Sequence, residues 1–250
     1  MAVICIDAGN SFVKVALMEQ AAVLSQTVIP VDDTEQLQEY IDSLPAADGA
    51  IVSTVSKPAE EMRNRLLSKV PLCMELTHHT SLPINNTYRT PETLGKDRIA
   101  AVVGAFALYP GKNVLIIDAG TALTIDFLDS QKKYHGGNIS PGLTMRFQAL
   151  HDYTEKLPLL TPAVHNGLLG DSTESAIIAG IQNGIIFEIE QYIKYFQKKY
   201  PQMICVATGG DTFFLKEQLK NTIFAEPSLV LVGLENIFNF NLTQNNWMPK

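Results

Sequence analysis

Apolar and polar positions along this 250-residue chain fall into two successions of the same kind. A β-branched run, Val3, Ile4, Cys5, Ile6, stops at Asp7-Ala8-Gly9 with Asn10 behind it, and Val114, Leu115, Ile116, Ile117 stops at Asp118-Ala119-Gly120 with Thr121 behind it. Runs this short and this branched form strands rather than helices, and each ends in residues suited to a tight turn. Gly9 and Gly120 can take positive φ there and let backbone N–H groups face outward. Second strands follow at Ser11 to Leu17 and Leu123 to Leu128, with third strands at Val23 to Val31 and near Tyr134.

Helical spacing then takes over. It predicts helices over Thr34 to Leu44 with Thr34 as N-cap, over Pro58 to Val70 with Met62, Leu66 and Leu67 on one side, from near Gly95, and over Thr173 to Tyr200. Ala50 to Val55 and Met203 to Val206 read as further strands, each running into small polar residues. His78 to Thr93, rich in Pro, Asn and Thr, reads as a long loop of the kind that carries function, and Gly136 to Gly142 as another. Strands first, then alternating helix and strand, twice over, predict an α/β chain of two related domains, 1–112 and 113–250.

Composition narrows the function. A chain with 46% hydrophobic residues can bury one full core or two smaller ones. With 19 basic against 26 acidic residues the net charge is −7, and no basic block is longer than a pair such as Lys198-Lys199, so a nucleic-acid partner is not expected. The longest apolar stretch, Ile99 to Tyr109, is well short of the roughly 20 residues a membrane helix needs, and a soluble protein without a membrane partner is expected. Cys5, Cys73 and Cys205 form no Cys-x-x-Cys pair and read as buried thiols in a reducing, cytoplasmic setting.

The duplicated turns are the first candidate for chemistry. Exposed N–H groups beside hydroxyls make a concavity for an anion, and an Asp at each strand end can hold the accompanying cation. Lys14, four residues after Asn10, either reaches back to such an anion or is a solvated strand lysine. Asp118 either holds a cation or caps an N–H group. The Thr208-Gly209-Gly210-Asp211 run admits close approach of a nucleotide or is an ordinary turn. Gly95-Lys96-Asp97-Arg98 opens a helix that becomes almost wholly apolar, which places its charged first turn in a cleft. Asp97 there is either a helix-dipole residue or a base for a substrate hydroxyl, with Arg98 positioned for a carboxylate or phosphate. Phosphoryl transfer suits this set, because it asks chiefly for positioning and charge neutralisation. P-loop, dinucleotide-fold, nucleophile-elbow and His-rich metal signatures are all missing from the sequence.

In order along the chain stand Asp-x-Gly-Asn-Ser-x-x-Lys from Asp7, Gly-x-Asp-Arg from Gly95, Asp-x-Gly-Thr-Ala-x-Thr from Asp118, Gly-Gly-x-Ile-x-Pro-Gly from Gly136 and Thr-Gly-Gly from Thr208. This ordered set resembles type III pantothenate kinase. The resemblance implies the actin, sugar-kinase and heat-shock-chaperone fold, two ribonuclease H-like domains with a nucleotide cleft between them, and ATP-dependent phosphorylation of pantothenate to 4′-phosphopantothenate. It further implies that Asp7, Ala8, Gly9, Asn10, Ser11, Phe12, Val13 and Lys14 bind ATP phosphates and magnesium, and that Thr121 contacts ATP. By the same resemblance Asp97 is the base, Tyr88, Gly95, Lys96, Asp97 and Arg98 line the pantothenate pocket, and Thr173 is a further substrate contact. Asp118 resembles the ligand of an activating monovalent cation, potassium or ammonium. Ser11 stands where the family more often has Thr, and the hydroxyl is kept.

The resemblance also implies a homodimer, and the Thr173 to Tyr200 helix agrees. Ile177, Ile178, Ile181, Ile185, Ile186, Ile189, Tyr192, Ile193 and Phe196 cover more than the roughly 100° stripe of one core face, while Gly180 and Gly184 admit a second helix. Two other readings compete: a different small-molecule kinase of the same superfamily, which would lack the Tyr88 to Arg98 set, and a regulatory relative that binds nucleotide without turnover and has no need of Asp97.

Overall fold

The computed structural model describes residues 1–54, 65–164 and 167–244. Pro58 and Met62 of the helix expected over Pro58 to Val70 lie outside the described residues, and residues 65–67 are helical. Two compact units emerge: Met1–Gly111 with Gln131–His135 and the chain from Ser228 onward, and Lys112–Ser130 with Gly136–Pro227.

The first unit is built on a sheet of five strands in the order β3-β2-β1-β4-β5. These are β1 (Ala2–Ala8), β2 (Phe12–Glu19), β3 (Ala22–Pro30), β4 (Gly49–Thr54) and β5 (Cys73–Glu75). The first three run antiparallel in a meander, while β4 lies parallel to β1 and β5 parallel to β4. Central β1 is apolar at successive positions because both its faces are covered: Val3, Ile4, Cys5 and Ile6 are completely buried. Helix α1 (Thr34–Ser43) starts one residue earlier than the Thr34 cap expected, since Asp33 Oδ1 accepts the Gln36 N–H at 3.1 Å.

The long loop expected over His78 to Thr93 is present, interrupted by a short strand β6 (Asn85–Asn86), paired with Lys133 and Tyr134, and by a 3₁₀ turn at Pro91–Thr93. Helix α2 (Lys96–Leu108) follows, buried from Arg98 through Ala105. Its apolar circumference is explained by α6 (Leu229–Thr243), which packs along α2 and onto β1 and β4. Glycines make that crossing close: a Cβ on Gly104 would stand 2.1 Å from the Leu229 carbonyl oxygen, and one on Gly233 1.8 Å from that of Ala100. The last helix thus belongs to the first unit, a departure from the chain-order division 1–112 and 113–250. Its apolar surface has its partner in α2, not in the half of the sequence that precedes it.

The second unit repeats the strand order, β9-β8-β7-β10-β11. Its strands are β7 (Val114–Ala119), β8 (Ala122–Leu128), β9 (Lys133–Pro141), β10 (Ile204–Thr208) and β11 (Phe224–Ala225). As in the first unit, the second strand is antiparallel to the first, and the outer strands are parallel to it. Residues 136–141, expected as loop, continue β9 instead. Gly137 serves close approach there, since a Cβ would stand 2.1 Å from the Ile125 carbonyl oxygen.

Helices α3 (Leu143–Asp152), α4 (Thr173–Lys199) and α5 (Thr212–Gln218) complete this unit. Ile177, Ile181, Ile185, Ile189 and Ile193 form one buried stripe of α4, and Ile178, Ile186, Tyr192 and Phe196 are partly buried against the same core. Among the described residues no helix is long and apolar enough to cross a membrane.

Candidate functional site

Each unit ends its central strand with an aspartate, and the sheet register decides what stands beside it. In the first unit Asp7 pairs with Lys14 on antiparallel β2 and with Ser53 on parallel β4. The turn between β1 and β2 is closed by Gly9 N–H donating to the Phe12 carbonyl at 3.0 Å. Ala8 and Val13 point into the core, so they offer the site only backbone, while Asn10, Ser11 and Phe12 are exposed.

Asp97 lies in the first turn of α2, and its Oδ1 accepts the Arg98 N–H at 2.8 Å. Gly95 makes that fold-back fit: a Cβ on it would stand 2.5 Å from Asp97 Oδ1. Burial pushes the Asp7 carboxyl up to about 6, the nearby Asp97 charge adds to this, and Lys14 and a hydrogen bond from Ser53 work against it. The first unit therefore collects two carboxylates and an ammonium at the end of β1.

Arg98 is 4% exposed and holds its guanidinium 5.6 Å over the Tyr88 ring. Tyr88 in turn lies parallel to Tyr134 at 6.2 Å, and its N–H donates to Asn86 Oδ1 at 3.0 Å. Arg98 and Tyr88 are thus brought together. Lys96 is not: its Nζ lies 3.2 Å from Glu75 Oε1, and its side chain lines a cavity of about 250 Å³ with His78, Leu94 and Ile99. The helix explains this, because residues 96 and 99 share one side and residues 97 and 98 the other.

In the second unit Asp118 pairs with Thr124 on antiparallel β8 and with Thr208 on parallel β10. Gly120 N–H donates to the Ala122 carbonyl at 3.1 Å, the counterpart of the Gly9 turn. Neither Gly9 nor Gly120 uses the positive φ open to it. That conformation occurs at Gly209, φ +93°, where a Cβ would stand 2.4 Å from the Ala119 carbonyl oxygen. Both the positive φ and the close Ala119 carbonyl call for glycine at 209.

Thr121 is exposed, and its carbonyl accepts the Gly142 N–H at 3.1 Å, which ties the turn to the start of α3. Burial raises the Asp211 carboxyl, whose backbone N–H donates to the Ala119 carbonyl at 2.9 Å. Thr173 is the exposed first residue of α4, and capping of that helix is done by Ser172 with Ser175.

Sequence reasoning missed the importance of Ser53 and Thr208. The signal was present as the small polar residues that end β4 and β10, but only strand register shows that each stands beside an aspartate.

Residues 3–195 match the family described as type III pantothenate kinase. The chain is 44% identical over 240 residues to the type III pantothenate kinase of Christiangramia forsetii, covering 96% of this chain and 98% of that protein. It is 45% identical over 237 residues to the protein of the same name from Bacteroides fragilis, covering 94% and 97%. Among solved structures, a Baf family transcriptional activator from Campylobacter jejuni superposes with a TM-score of 0.65 at 19% identity, covering 96% of this chain and 99% of that one. The activator of 2-hydroxyisocaproyl-CoA dehydratase from Clostridium difficile, with bound ADPNP, superposes at 0.55 and 10% identity, covering 100% and 99%. The fold is that of the actin-like ATPases and sugar kinases.

Proposed function

The chain belongs to the type III pantothenate kinase family, and from that premise we propose that it transfers the γ-phosphoryl group of ATP to the 4′-hydroxyl of pantothenate, the first step of coenzyme A synthesis. The observation that carries this reading is the gathering of Asp7, Lys14 and Asp97 at the end of β1, beside Arg98 and Tyr88. In it Asp97 accepts the hydroxyl proton of pantothenate and Arg98 meets the substrate's carboxylate, with Tyr88 as the wall behind. Gly95 lines the same pocket. Lys96 is withdrawn from it, because its ammonium is engaged by Glu75.

Residues Asp7 to Lys14 receive the phosphates of ATP: the Gly9 to Phe12 turn through its backbone, Asn10 and Ser11 through exposed polar side chains, and Lys14 through its charge. A carboxyl raised by burial and further by a second carboxylate is a place where a divalent cation relieves repulsion, so Asp7 fits as a ligand of the magnesium that accompanies ATP. Magnesium, when bound, neutralises charge on the transferring phosphoryl group.

In the second unit Thr121 contacts ATP, Thr173 contacts substrate and Asp118 holds a monovalent cation, potassium or ammonium. The enzyme acts as a homodimer. On α4 the residues Gly180, Gly184, Phe187, Gln191 and Tyr195 follow one another at helical spacing, with Phe187 57% and Tyr195 66% exposed and open space over both glycines. Three buried cysteine thiols accord with the reducing cytoplasm in which this chemistry would run.

The deciding experiment is ADP release with pantothenate, magnesium ATP and potassium, against the same mixture without pantothenate. Pantothenate-dependent ADP formation is expected. Retained ATP binding without it would replace this reading by a regulatory one.

A further inference from the structure

The duplicated sheets set a hydroxyl at the same point in each unit, and the two hydroxyls differ in what they hold. Ser53 of β4 is the parallel partner of Asp7, and Thr208 of β10 is the parallel partner of Asp118. Paired residues of neighbouring strands send their side chains to one face. Ser53 is 2% exposed and Thr208 1%. Ser53 hydrogen-bonds the Asp7 carboxyl. Thr208 Oγ1, equally buried, has no hydrogen-bond partner among the described residues. A dry, unpaired hydroxyl costs folding free energy and persists where a ligand completes it.

The surroundings define that ligand. A Cβ on Gly209 would stand 2.5 Å from Asp118 Oδ1, so the carboxylate lies against the end of β10, next to Thr208. The groups offered there are a carboxylate and a hydroxyl, which suit a hard cation. Asp118 is the carboxylate that strand register sets beside Thr208, and among the described residues no cluster of three or more His, Cys, Asp or Glu could hold a metal. One negative charge with neutral oxygens matches a monovalent cation better than a divalent one.

Building on the reading of Asp118 given above, we infer that Thr208 is a second protein ligand of the monovalent cation, its hydroxyl oxygen joining the Asp118 carboxylate. Its counterpart Ser53 spends its hydroxyl on Asp7, and the difference is what sets the two strand ends to different tasks.

The test follows the melting temperature of the nucleotide-free protein as potassium chloride replaces choline chloride at constant ionic strength. Wild type is expected to melt higher as potassium rises. Thr208→Val should need at least about tenfold more potassium for half of that rise, Thr208→Ser should stay within about threefold of wild type, and Asp118→Asn should give no rise. In choline chloride alone Thr208→Val should melt no lower than wild type, because it removes an unpaired hydroxyl at nearly constant volume. Thr208→Ala repeats the deletion in a smaller side chain.

A wild-type potassium midpoint in both Thr208→Val and Thr208→Ala, with Asp118→Asn unresponsive, would overturn the role of Thr208 and leave Asp118 as the cation ligand. A potassium response that survives Asp118→Asn, or is missing from wild type, would overturn the cation site itself.

Discussion

Gly95 and Asp97 occupy nearly the same space: a Cβ on the glycine would stand 2.5 Å from Asp97 Oδ1. Gly95 has φ −53°, which any residue adopts, so its requirement comes from the neighbouring carboxylate and not from backbone strain. Gly95→Ala should therefore leave the fold nearly untouched while turning Asp97 away from its place. Turnover is expected to fall about 10- to 100-fold, since small misplacements of a reacting group cost about that much, with a melting temperature within a few degrees of wild type. Unchanged turnover would show that the Asp97 position does not matter to the reaction.

Asp97→Asn keeps the volume and the contact to the Arg98 N–H but removes the proton acceptor. Steady-state ADP release should drop at least about 100-fold, with the circular dichroism spectrum unchanged and ATP still bound. Turnover near that of wild type would sink the assignment of Asp97 as the base.

Much of this site was legible in the sequence because strand ends and turns are local. The runs Val3 to Ile6 and Val114 to Ile117 announce themselves by composition, and the aspartate, glycine and hydroxyl after each lie within a few residues. What depends on contacts between distant residues was not legible. Positive φ occurs at Gly209, whose backbone lies against the Ala119 carbonyl, a contact across some 90 residues of sequence. Lys96 pairs with Glu75, on the side of α2 away from Asp97 and Arg98. Nor could the pattern show that α6 closes over α2, since an apolar helix does not name its partner.

The carboxyl of Asp7 carries a testable cost. Held up to about 6 in the folded protein against an ordinary value of 3.8, it binds its proton more tightly folded than unfolded. Stability contributed by this group is thus present below pH 3.8 and is lost as pH rises to about 6. Asp7→Asn escapes that loss. It should be more stable than wild type by about 1 to 3 kcal/mol at pH 8 and by clearly less at pH 4.5, while losing activity as a phosphate and magnesium site. Urea unfolding at the two pH values checks this, and a difference independent of pH would refute it.

The exposed stripe of α4 predicts the assembly. Phe187→Glu together with Tyr195→Glu places two charges on a surface whose buried side is untouched, since Ile185, Ile189 and Ile193 face the core. Light scattering after size exclusion should give a dimer mass for wild type and a monomer mass for the double variant, with far-ultraviolet circular dichroism retained. A dimer in both would place the contact elsewhere.

The crossing of α2 and α6 makes the last prediction, one about folding alone. Gly233 approaches α2 so closely that a Cβ would stand 1.8 Å from the Ala100 carbonyl oxygen and 2.9 Å from the Gly104 nitrogen, both of them backbone atoms that no rotamer change can move. Both glycine variants are compared in the monomeric Phe187→Glu/Tyr195→Glu background, where Gly180 offers the opposite case, with no partner helix over α4 and open space where its Cβ would go. In a solvent-exposed helix position alanine is favoured over glycine by about 1 kcal/mol. Gly233→Ala should therefore destabilise the protein by about 3 kcal/mol or more, because the helices must separate and give up close packing along their length, whereas Gly180→Ala should be neutral or mildly stabilising. Thermal melts of the two variants, which make the same chemical change in two helices, separate helix propensity from helix packing. Equal shifts would mean that the close approach of α2 and α6 is not what holds the last helix to the first unit.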